Sequence, residues 1–162
     1  MKKNKSITIQ FTDYESLEAL AEKDQLLLKA AINIAQDAYA PYSNFKVGAA
    51  VELENGAIVT GSNQENAAYP SGLCAERVAL FSASANYSNK RMKTIAVYAV
   101  EPIVGEQISP CGSCRQVMSE YELKQNDDLR VLLMNADGKI REFASCSQLL
   151  PFAFILKPFK NG

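Results

Sequence analysis

Residues 109–116 read SPCGSCRQ, with two cysteines three positions apart behind a serine and a proline. Ser109 is a suitable N-cap and Pro110 suits the first helical position, so the pattern predicts that a helix begins here. Cys111 and Cys114 would then share one face of its first turn. Unpaired backbone N–H groups and the positive end of the helix dipole stabilise thiolates in that turn, which suits either a metal ion or a reactive dithiol.

A third cysteine, Cys74, stands at the start of another predicted helix, in SGLCAERVAL. Two helix N-termini that carry thiolates can converge at one edge of a sheet, and three thiolates around zinc leave one position open. Structural zinc sites have four protein ligands, whereas catalytic sites keep one position for water. Cys146 follows a predicted strand in FASCSQLL, outside any paired motif, and we expect it to be a core residue rather than a fourth ligand.

Glu76 lies two residues after Cys74, so on a regular helix it does not share the face of that cysteine. It is therefore poorly placed as a ligand and well placed beside the open position, where it can carry protons. Zinc deaminases combine a metal-binding His or Cys, followed by x-Glu, with a separate Pro-Cys-x-x-Cys, and their glutamate is the general acid and base. The segments 74–76 and 110–114 fit that pattern. A lone Cys-x-x-Cys would be weak evidence, and there is no second one to suggest a zinc ribbon.

The rest of the chain predicts alternating helices and strands around these motifs. Apolar residues at helical spacing indicate a helix from about Asp24 to Tyr39, and the Asn-Gly turn in residues 54–56 indicates a hairpin. The helix from Cys74 is predicted to have one face formed by Cys74, Val78, Phe81 and Ala85. Further strands are predicted at 6–11, 94–100, 129–135 and 139–143. This order indicates an α/β fold, a three-layer α/β/α sandwich whose mixed sheet has about five strands and helices on both faces.

The domain organisation and the general class of the protein follow from length and charge. Residues 23–162 are expected to form one domain, and residues 1–22 an N-terminal extension of unclear role. The 17 basic and 18 acidic residues give a net charge of −1, which argues against a nucleic-acid or membrane-surface partner. The basic start has no long apolar run behind it, and no stretch is long enough to span a membrane, so we expect a cytoplasmic protein.

On these motifs the sequence resembles the cytidine deaminase family over roughly residues 24–156. The stretches that carry the resemblance are YSNFKVGAA (42–50), NQENAAYPSGLCAERVAL (63–80), SPCGSCRQV (109–117) and LLPFAF (149–154). The small homotetrameric branch of this family uses three cysteines at zinc, whereas the longer dimeric branch and the nucleic-acid-editing relatives use a histidine. The chain has no histidine, so it fits only the three-cysteine pattern. It departs from the family after residue 154, where ILKPF replaces the usual glycine and proline.

The resemblance implies zinc-dependent hydrolytic deamination of cytidine and 2′-deoxycytidine to uridine and 2′-deoxyuridine plus ammonia, in pyrimidine nucleoside salvage. It implies one zinc ion per subunit, bound by Cys74, Cys111 and Cys114, with Glu76 moving protons, in a homotetramer with shared active sites. The resemblance also implies that Phe45 lines the nucleoside pocket and that Asn63 and Glu65 bind the ribose hydroxyls. It implies that the backbone at Ala75, together with Ser109, binds the pyrimidine edge. Phe154 would stack on the base from a neighbouring subunit, and Tyr69 would lie at a subunit boundary.

Two arginines near the cysteines are predicted to balance charge. Three thiolates outweigh Zn²⁺ by one negative charge, which weakens the pull of the metal on a bound water. Arg77 follows Glu76, and Arg115 follows Cys114. Both are expected, together with the two helix N-termini, to offset that excess.

Four other functions remain as alternatives. A deaminase of another amino-pyrimidine, such as blasticidin S, would share the zinc motifs, although NQEN (63–66) favours a nucleoside. A nucleic-acid-editing deaminase is disfavoured by the net charge and the missing histidine. A structural zinc module would need Cys146 as the fourth ligand. A redox protein would use Cys111 and Cys114 and need neither Cys74 nor zinc.

Overall fold

The computed structural model describes residues 2–101 and 107–156. Residues 102–106 and 157–162 of the predicted domain lie outside the described residues. The helices are α1 (Glu22–Ala35), α2 (Ala75–Asn86) and α3 (Gly112–Gln125). The strands are β1 (Thr12–Tyr14), β2 (Val47–Leu53), β3 (Ile58–Ser62), β4 (Met92–Ala99), β5 (Arg130–Met134) and β6 (Ile140–Phe143). The strands form one sheet in the order β1-β6-β5-β4-β2-β3, in which only β4 and β5 are parallel neighbours.

The three-layer architecture is confirmed by the two apolar clusters on either side of the sheet. On one face, α1 packs Leu27, Leu28 and Ala31 against residues such as Ala96 and Leu132. On the other face, α2 and α3 cover the alternate positions of the same strands, which include Ile95 and Val97. The mixed sheet with helices on both faces therefore matches the prediction. Among the described residues, no helix is both long and apolar enough to cross a bilayer.

The sheet has six strands rather than about five, because residues 12–14 add an edge strand. The expectation of a strand at 6–11 was wrong in position. Thr12 lies opposite Glu142 and Tyr14 opposite Ile140, so the pairing of β1 ends one residue before the last residue of β6. The chain after Phe143 turns into a short 3₁₀ helix, Cys146–Leu149, and no strand among the described residues pairs with residues 6–10.

Helices α1 and α2 differ in detail from their predicted forms. Helix α1 ends at Ala35 rather than near Tyr39, because the backbone of Tyr39 instead pairs with that of residues 63–65. Helix α2 buries Ala75, Glu76, Ala79, Leu80 and Ala83 instead of the face that carries Phe81. The reason is a close approach, since a Cβ added to Gly61 of β3 would lie 2.5 Å from the backbone nitrogen of Ala79. Small residues of α2 therefore face β3, and the larger side chain of Phe81 lies at the exposed surface of the helix.

The direction of the strands brings two helix N-termini together. Strands β3 and β4 are both antiparallel to β2, so they run in the same direction. The chain leaves the carboxyl end of β3 toward α2, and it leaves the carboxyl end of β4 toward α3. Helices α2 and α3 therefore begin at the same edge of the sheet and on the same face, which is the place that the cysteine motifs predicted.

Candidate functional site

Three cysteines meet where α2 and α3 begin. Cys74 is the N-cap of α2, Cys111 is the N-cap of α3, and Cys114 is buried in the first turn of α3. The Cys74 and Cys111 sulfurs are 4.0 Å apart, the Cys111 and Cys114 sulfurs are 3.6 Å apart, and all three lie within 4.8 Å of one another. A tetrahedral zinc ion with Zn–S bonds of about 2.3 Å places its sulfur ligands about 3.8 Å apart. The cluster therefore fits zinc in both donor type and spacing.

Helix α3 begins two residues later than its sequence predicted. Its first residue is Gly112, so Ser109 is not its cap and Pro110 is not its first residue. The hydroxyl oxygen of Ser109 instead accepts a hydrogen bond from Nη2 of Arg115, at 2.7 Å. This shift places the Cys111 sulfur at the cap position, next to the unpaired N–H groups of the first turn.

The charge balance of the cluster also suits a soft cation. A hydrogen bond with Cys114 and the guanidinium of Arg77 lower the pKa of Cys74 to about 5. The same hydrogen bond, together with burial, raises the pKa of Cys114. The two thiols cannot both ionise without repelling each other, so their pKa values move in opposite directions. A divalent cation removes that repulsion, which is how metals stabilise coordinated thiolates.

Cys146 lies away from this cluster. It belongs to the core packed between the sheet and helices α2 and α3, its side chain is fully buried, and burial raises its pKa. Its backbone N–H donates to Glu122, 3.1 Å away. Among the described residues the metal-binding group consists of three cysteines without a fourth protein ligand. Such a donor set matches catalytic zinc sites better than structural ones.

The carboxyl group of Glu76 interacts with the cysteine cluster. It is in the first turn of α2, and only 5% of the residue is exposed. Burial raises its pKa above the usual range of a glutamate, and the charge of Cys74 adds to that shift. A raised pKa makes a carboxyl group a stronger base and keeps it able to return the proton, which is the requirement for a general acid and base.

The two predicted charge-balancing arginines have different surroundings. Nη2 of Arg77 lies 3.8 Å from the Cys74 sulfur and 3.5 Å from the carbonyl oxygen of Gly72. Nε of Arg77 is buried and has no hydrogen-bond partner among residues 2–101 and 107–156. Arg115 is directed elsewhere, and its guanidinium donates to the Pro110 carbonyl, the Ser109 hydroxyl and the Leu149 carbonyl. Arg77 is thus in contact with a thiol, whereas Arg115 is hydrogen-bonded to the loop that precedes Cys111.

A cavity of about 480 Å³ adjoins Cys74. Four other predicted site residues line it, namely Asn63, Glu65, Tyr69 and Arg77. Tyr69 is 76% exposed and contacts Tyr42 edge-to-face, with ring centroids 6.1 Å apart. The cavity is therefore open to solvent on one side, with the thiol cluster on the other.

The polar side chains of this cavity are held in place by backbone groups. The Asn63 amide accepts from the Val47 N–H and donates to the Phe45 carbonyl, at 2.8 and 2.9 Å. The Glu65 carboxylate accepts from the Ser43 hydroxyl and from the backbone N–H groups of Tyr42 and Ser43, and these bonds lower its pKa. Glu65 is thus a fixed, ionised hydrogen-bond acceptor at the wall of the cavity.

The remaining predicted residues lie outside the lining of this cavity. Phe45 is partly buried against the core, and Ala75 is buried between Cys74 and Glu76. Phe154 is 68% exposed, and its backbone is bound to Gln116 of α3. Sequence reasoning gave no role to Ser43 or Gln116. Ser43 lies in YSNFKVGAA (42–50) and Gln116 in SPCGSCRQV (109–117), but only the structure shows that they bind Glu65 and Phe154.

A sequence model of the family described as "Cytidine and deoxycytidylate deaminase zinc-binding region" matches residues 21–126. A curated cytidine deaminase of Halalkalibacterium halodurans is 45% identical over 130 residues, which cover 80% of this chain and 92% of that protein. A cytidine deaminase of Sporosarcina psychrophila is 43% identical over 119 residues, which cover 74% of this chain and 82% of that protein. The crystal structure of a cytidine deaminase from Burkholderia pseudomallei superposes with a TM-score of 0.70 at 45% identity, covering 80% of this chain and 97% of that one.

Proposed function

The chain belongs to the cytidine and deoxycytidylate deaminase family and is a hydrolytic deaminase, and on that premise we propose that it deaminates cytidine and 2′-deoxycytidine in pyrimidine nucleoside salvage. The products would be uridine or 2′-deoxyuridine and ammonia. The observation that carries the proposal is the three-cysteine cluster with a buried glutamate beside it, next to a cavity that Asn63 and Glu65 line. A cavity whose wall carries a fixed carboxylate suits the hydroxyl groups of a ribose.

We propose that Cys74, Cys111 and Cys114 hold one zinc ion per subunit. When bound, zinc supplies a Lewis acid that lowers the pKa of a coordinated water to about 7. The sulfur distances and the opposite pKa shifts of Cys74 and Cys114 support this role. The guanidinium of Arg77 supports it as well, because it lies against the Cys74 sulfur and offsets part of the thiolate charge.

Glu76 is the proposed catalytic residue. Its carboxylate accepts a proton from the attacking water and gives it to N3 of the pyrimidine ring while the water oxygen bonds to C4. It then transfers the second proton of that water to the amino group, the C4–N bond breaks, and ammonia leaves as the C4 carbonyl forms. The burial of Glu76 supports this assignment, because a raised pKa lets the same group act first as a base and then as an acid.

The proposed substrate contacts use the wall of the cavity. Glu65, held by Ser43, accepts from ribose hydroxyl groups, and Asn63 offers its amide beside it. Phe45 packs near the base, and the backbone at Ala75 together with Ser109 binds the polar edge of the pyrimidine. A site built to pair with hydroxyl groups rejects analogues that lack them, because its own polar groups are then left unpaired.

We propose that the active enzyme is a homotetramer in which Phe154 completes a site of a neighbouring subunit. Gln116, which binds Phe154, lies two residues after Cys114 and therefore on a different side of α3. Phe154 is held away from the cysteines of its own chain and remains exposed. Tyr69, which is also exposed at the mouth of the cavity, is the proposed boundary residue.

The proposed location is the cytoplasm. All four cysteines are free, and a centre built from thiols needs a compartment that keeps them reduced.

The proposed reaction is tested by steady-state turnover of cytidine, 2′-deoxycytidine and blasticidin S, with zinc measured in the same preparation. We expect turnover of both nucleosides and about one zinc per chain. Turnover of blasticidin S alone would overturn the nucleoside assignment, and full activity without zinc would overturn the metal assignment.

The proposed assembly is tested by light scattering and by mixed oligomers of two variants, Glu76→Gln, which should lack turnover, and Phe154→Ala, which should bind cytidine weakly. At cytidine concentrations well below the KM of Phe154→Ala, reassembled mixtures should turn over cytidine faster than the sum of the two separate variants if each site takes these residues from different chains. Absence of any gain in mixed oligomers of confirmed composition would contradict a shared site.

A further inference from the structure

The C-terminal segment of the described chain is held to α3 at two consecutive residues. Nη1 of Arg115 donates to the carbonyl oxygen of Leu149, at 3.0 Å. The next residue, Gln116, binds Phe154 twice: its Oε1 accepts from the Phe154 backbone N–H at 3.0 Å, and its Nε2 donates to the Phe154 carbonyl at 2.7 Å. A single side-chain amide thus satisfies both backbone groups of Phe154, as a neighbouring strand does in a sheet.

This pair of hydrogen bonds acts on a segment with little other support. Phe152 is 85% exposed, Phe154 68% and Leu156 71%. An exposed segment of this kind loses conformational entropy when it is ordered, so the contacts that order it decide where its side chains are. A planar amide that donates and accepts at once sets both the position of the Phe154 backbone and the direction in which its ring projects.

The helix that carries this amide is itself fixed next to the cysteines. Cys114 is fully buried, and Arg115 ties the turn to Pro110 and Ser109. Gln116 therefore projects from a turn of α3 that these contacts hold in place and that also carries a proposed metal ligand. The cysteines of one chain and the aromatic ring that it presents share a single rigid support.

We propose that Gln116 is a positioning residue, which sets the place and direction of Phe154 and so controls how tightly the neighbouring subunit binds its pyrimidine nucleoside. The proposal rests on the proposed function, in which Phe154 stacks on the base in a shared site. Gln116 itself does not touch the substrate. Its effect passes through Phe154, so it should change the binding of the base and leave proton transfer by Glu76 in the same subunit intact.

The test is a double-mutant cycle of Gln116→Met with Phe154→Ala, because methionine keeps the length of glutamine and removes both hydrogen bonds. Loss of stacking between a base and an aromatic ring weakens binding about 10-fold or more, so each single variant should raise KM for cytidine by about that factor. The value of kcat should change less than about 2-fold, because stacking acts on the ground state and the transition state alike. The double variant should be no worse than Phe154→Ala alone, because both changes remove one interaction.

Two further variants separate positioning from a general structural role. Gln116→Glu keeps the acceptor for the Phe154 N–H and loses the donor, so its KM should lie between those of the wild type and Gln116→Met. Glu120→Met, on an exposed position one turn further along α3, is the matched control and should have wild-type kinetics. Zinc content and oligomeric state should be unchanged in all of them.

The outcomes distinguish this inference from the function on which it rests. An unchanged KM in Phe154→Ala would overturn the stacking role, and the inference with it. A raised KM in Phe154→Ala beside wild-type kinetics in Gln116→Met would overturn the inference alone. Additive effects in the double variant, or loss of zinc or of assembly in both Gln116 variants, would show that Gln116 acts in some other way and would also overturn it.

Discussion

The cysteine edge, where α2 and α3 begin, and the network around Arg130 of β5 both gather charged side chains, but they differ in how completely these charges are paired within the chain. In the network, Arg130 binds Asp24 through two hydrogen bonds and Glu142 through a third, and Tyr14 of β1 donates to the other oxygen of Glu142. At the cysteine edge, the pKa values of Cys74 and Cys114 are shifted in opposite directions, Glu76 is buried with a raised pKa, and Nε of Arg77 has no partner among the described residues.

The difference indicates which region is built for stability and which for chemistry. Buried polar groups in proteins are almost always satisfied, so the unpaired Nε of Arg77 needs an explanation. At the cysteine edge, the proposed zinc ion and substrate would supply further partners for the charged groups. The network around Arg130 needs neither, because its charges already compensate one another. Changes at the cysteine edge should therefore alter activity with little effect on folding. Changes in the network around Arg130 should lower stability with little effect on activity.

The largest expected effect is that of Cys111→Ala. Loss of one of three thiol ligands should release the metal and reduce turnover of cytidine by more than about 10⁴-fold, because the attacking water loses its Lewis acid. Zinc analysis and an absorbance assay for cytidine check this. Cys146→Ser is the control, since that thiol lies outside the cluster, and it should keep its zinc. Metal loss in the control and not in Cys111→Ala would reverse the assignment.

The next largest effect is expected from Glu76→Gln. Without a group that accepts and returns protons, kcat should fall by roughly 10²–10⁴-fold, the usual contribution of general acid–base catalysis. Bound zinc should remain, because Glu76 is not among the clustered metal-binding residues. Removal of a buried ionisable group should leave the thermal midpoint unchanged or slightly higher. Wild-type kcat in this variant would show that Glu76 does not transfer the protons of the reaction.

Local sequence signals predicted most of the cysteine edge, although α3 begins two residues later than expected. The hairpin between β2 and β3 follows from its Asn-Gly turn, and the starts of α2 and α3 follow from short motifs within a few residues of Cys74 and Cys111. The approach of these two helix starts depends on the pairing of β2 with both β3 and β4, which makes the latter two run in the same direction and which only the structure shows.

Features that depend on distant parts of the chain were not predictable in the same way. The register of β1 is set by where β6 ends, more than one hundred positions later. The buried face of α2 is set by Gly61, which lets small residues approach the sheet and leaves Phe81 outside. The bonds from Gln116 to Phe154 join residues 38 positions apart, and no local pattern marks such a pair.

A stability effect is expected when the paired network is broken. Asp24 has a side chain that is only 5% exposed, and its partner Arg130 is 24% exposed. Asp24→Asn should lower the free energy of unfolding by about 1–3 kcal/mol, because it removes a buried carboxylate and leaves the partly buried Arg130 with Glu142 as its counter-charge. Asp13→Asn is the matched control, since the pair of Asp13 with Arg141 is about half exposed on the aspartate and should contribute about 0–1 kcal/mol. Chemical denaturation measures both, and equal losses would show that burial does not separate the two pairs.

The smallest effect sharpens the same comparison through its pH dependence. Tyr14→Phe removes one hydrogen bond to Glu142 and should lower the free energy of unfolding by about 1 kcal/mol at pH 7. Hydrogen bonds from Arg130 and Tyr14 lower the pKa of Glu142 in the folded chain. Stability from a lowered carboxyl pKa is present above the unfolded value, about 4.3, and is lost as pH falls through the folded value. The difference between wild type and Tyr14→Phe should therefore shrink as the pH falls below about 4. A difference that stays constant down to pH 2 would mean that the contribution of the Tyr14 hydroxyl does not depend on the charge of Glu142.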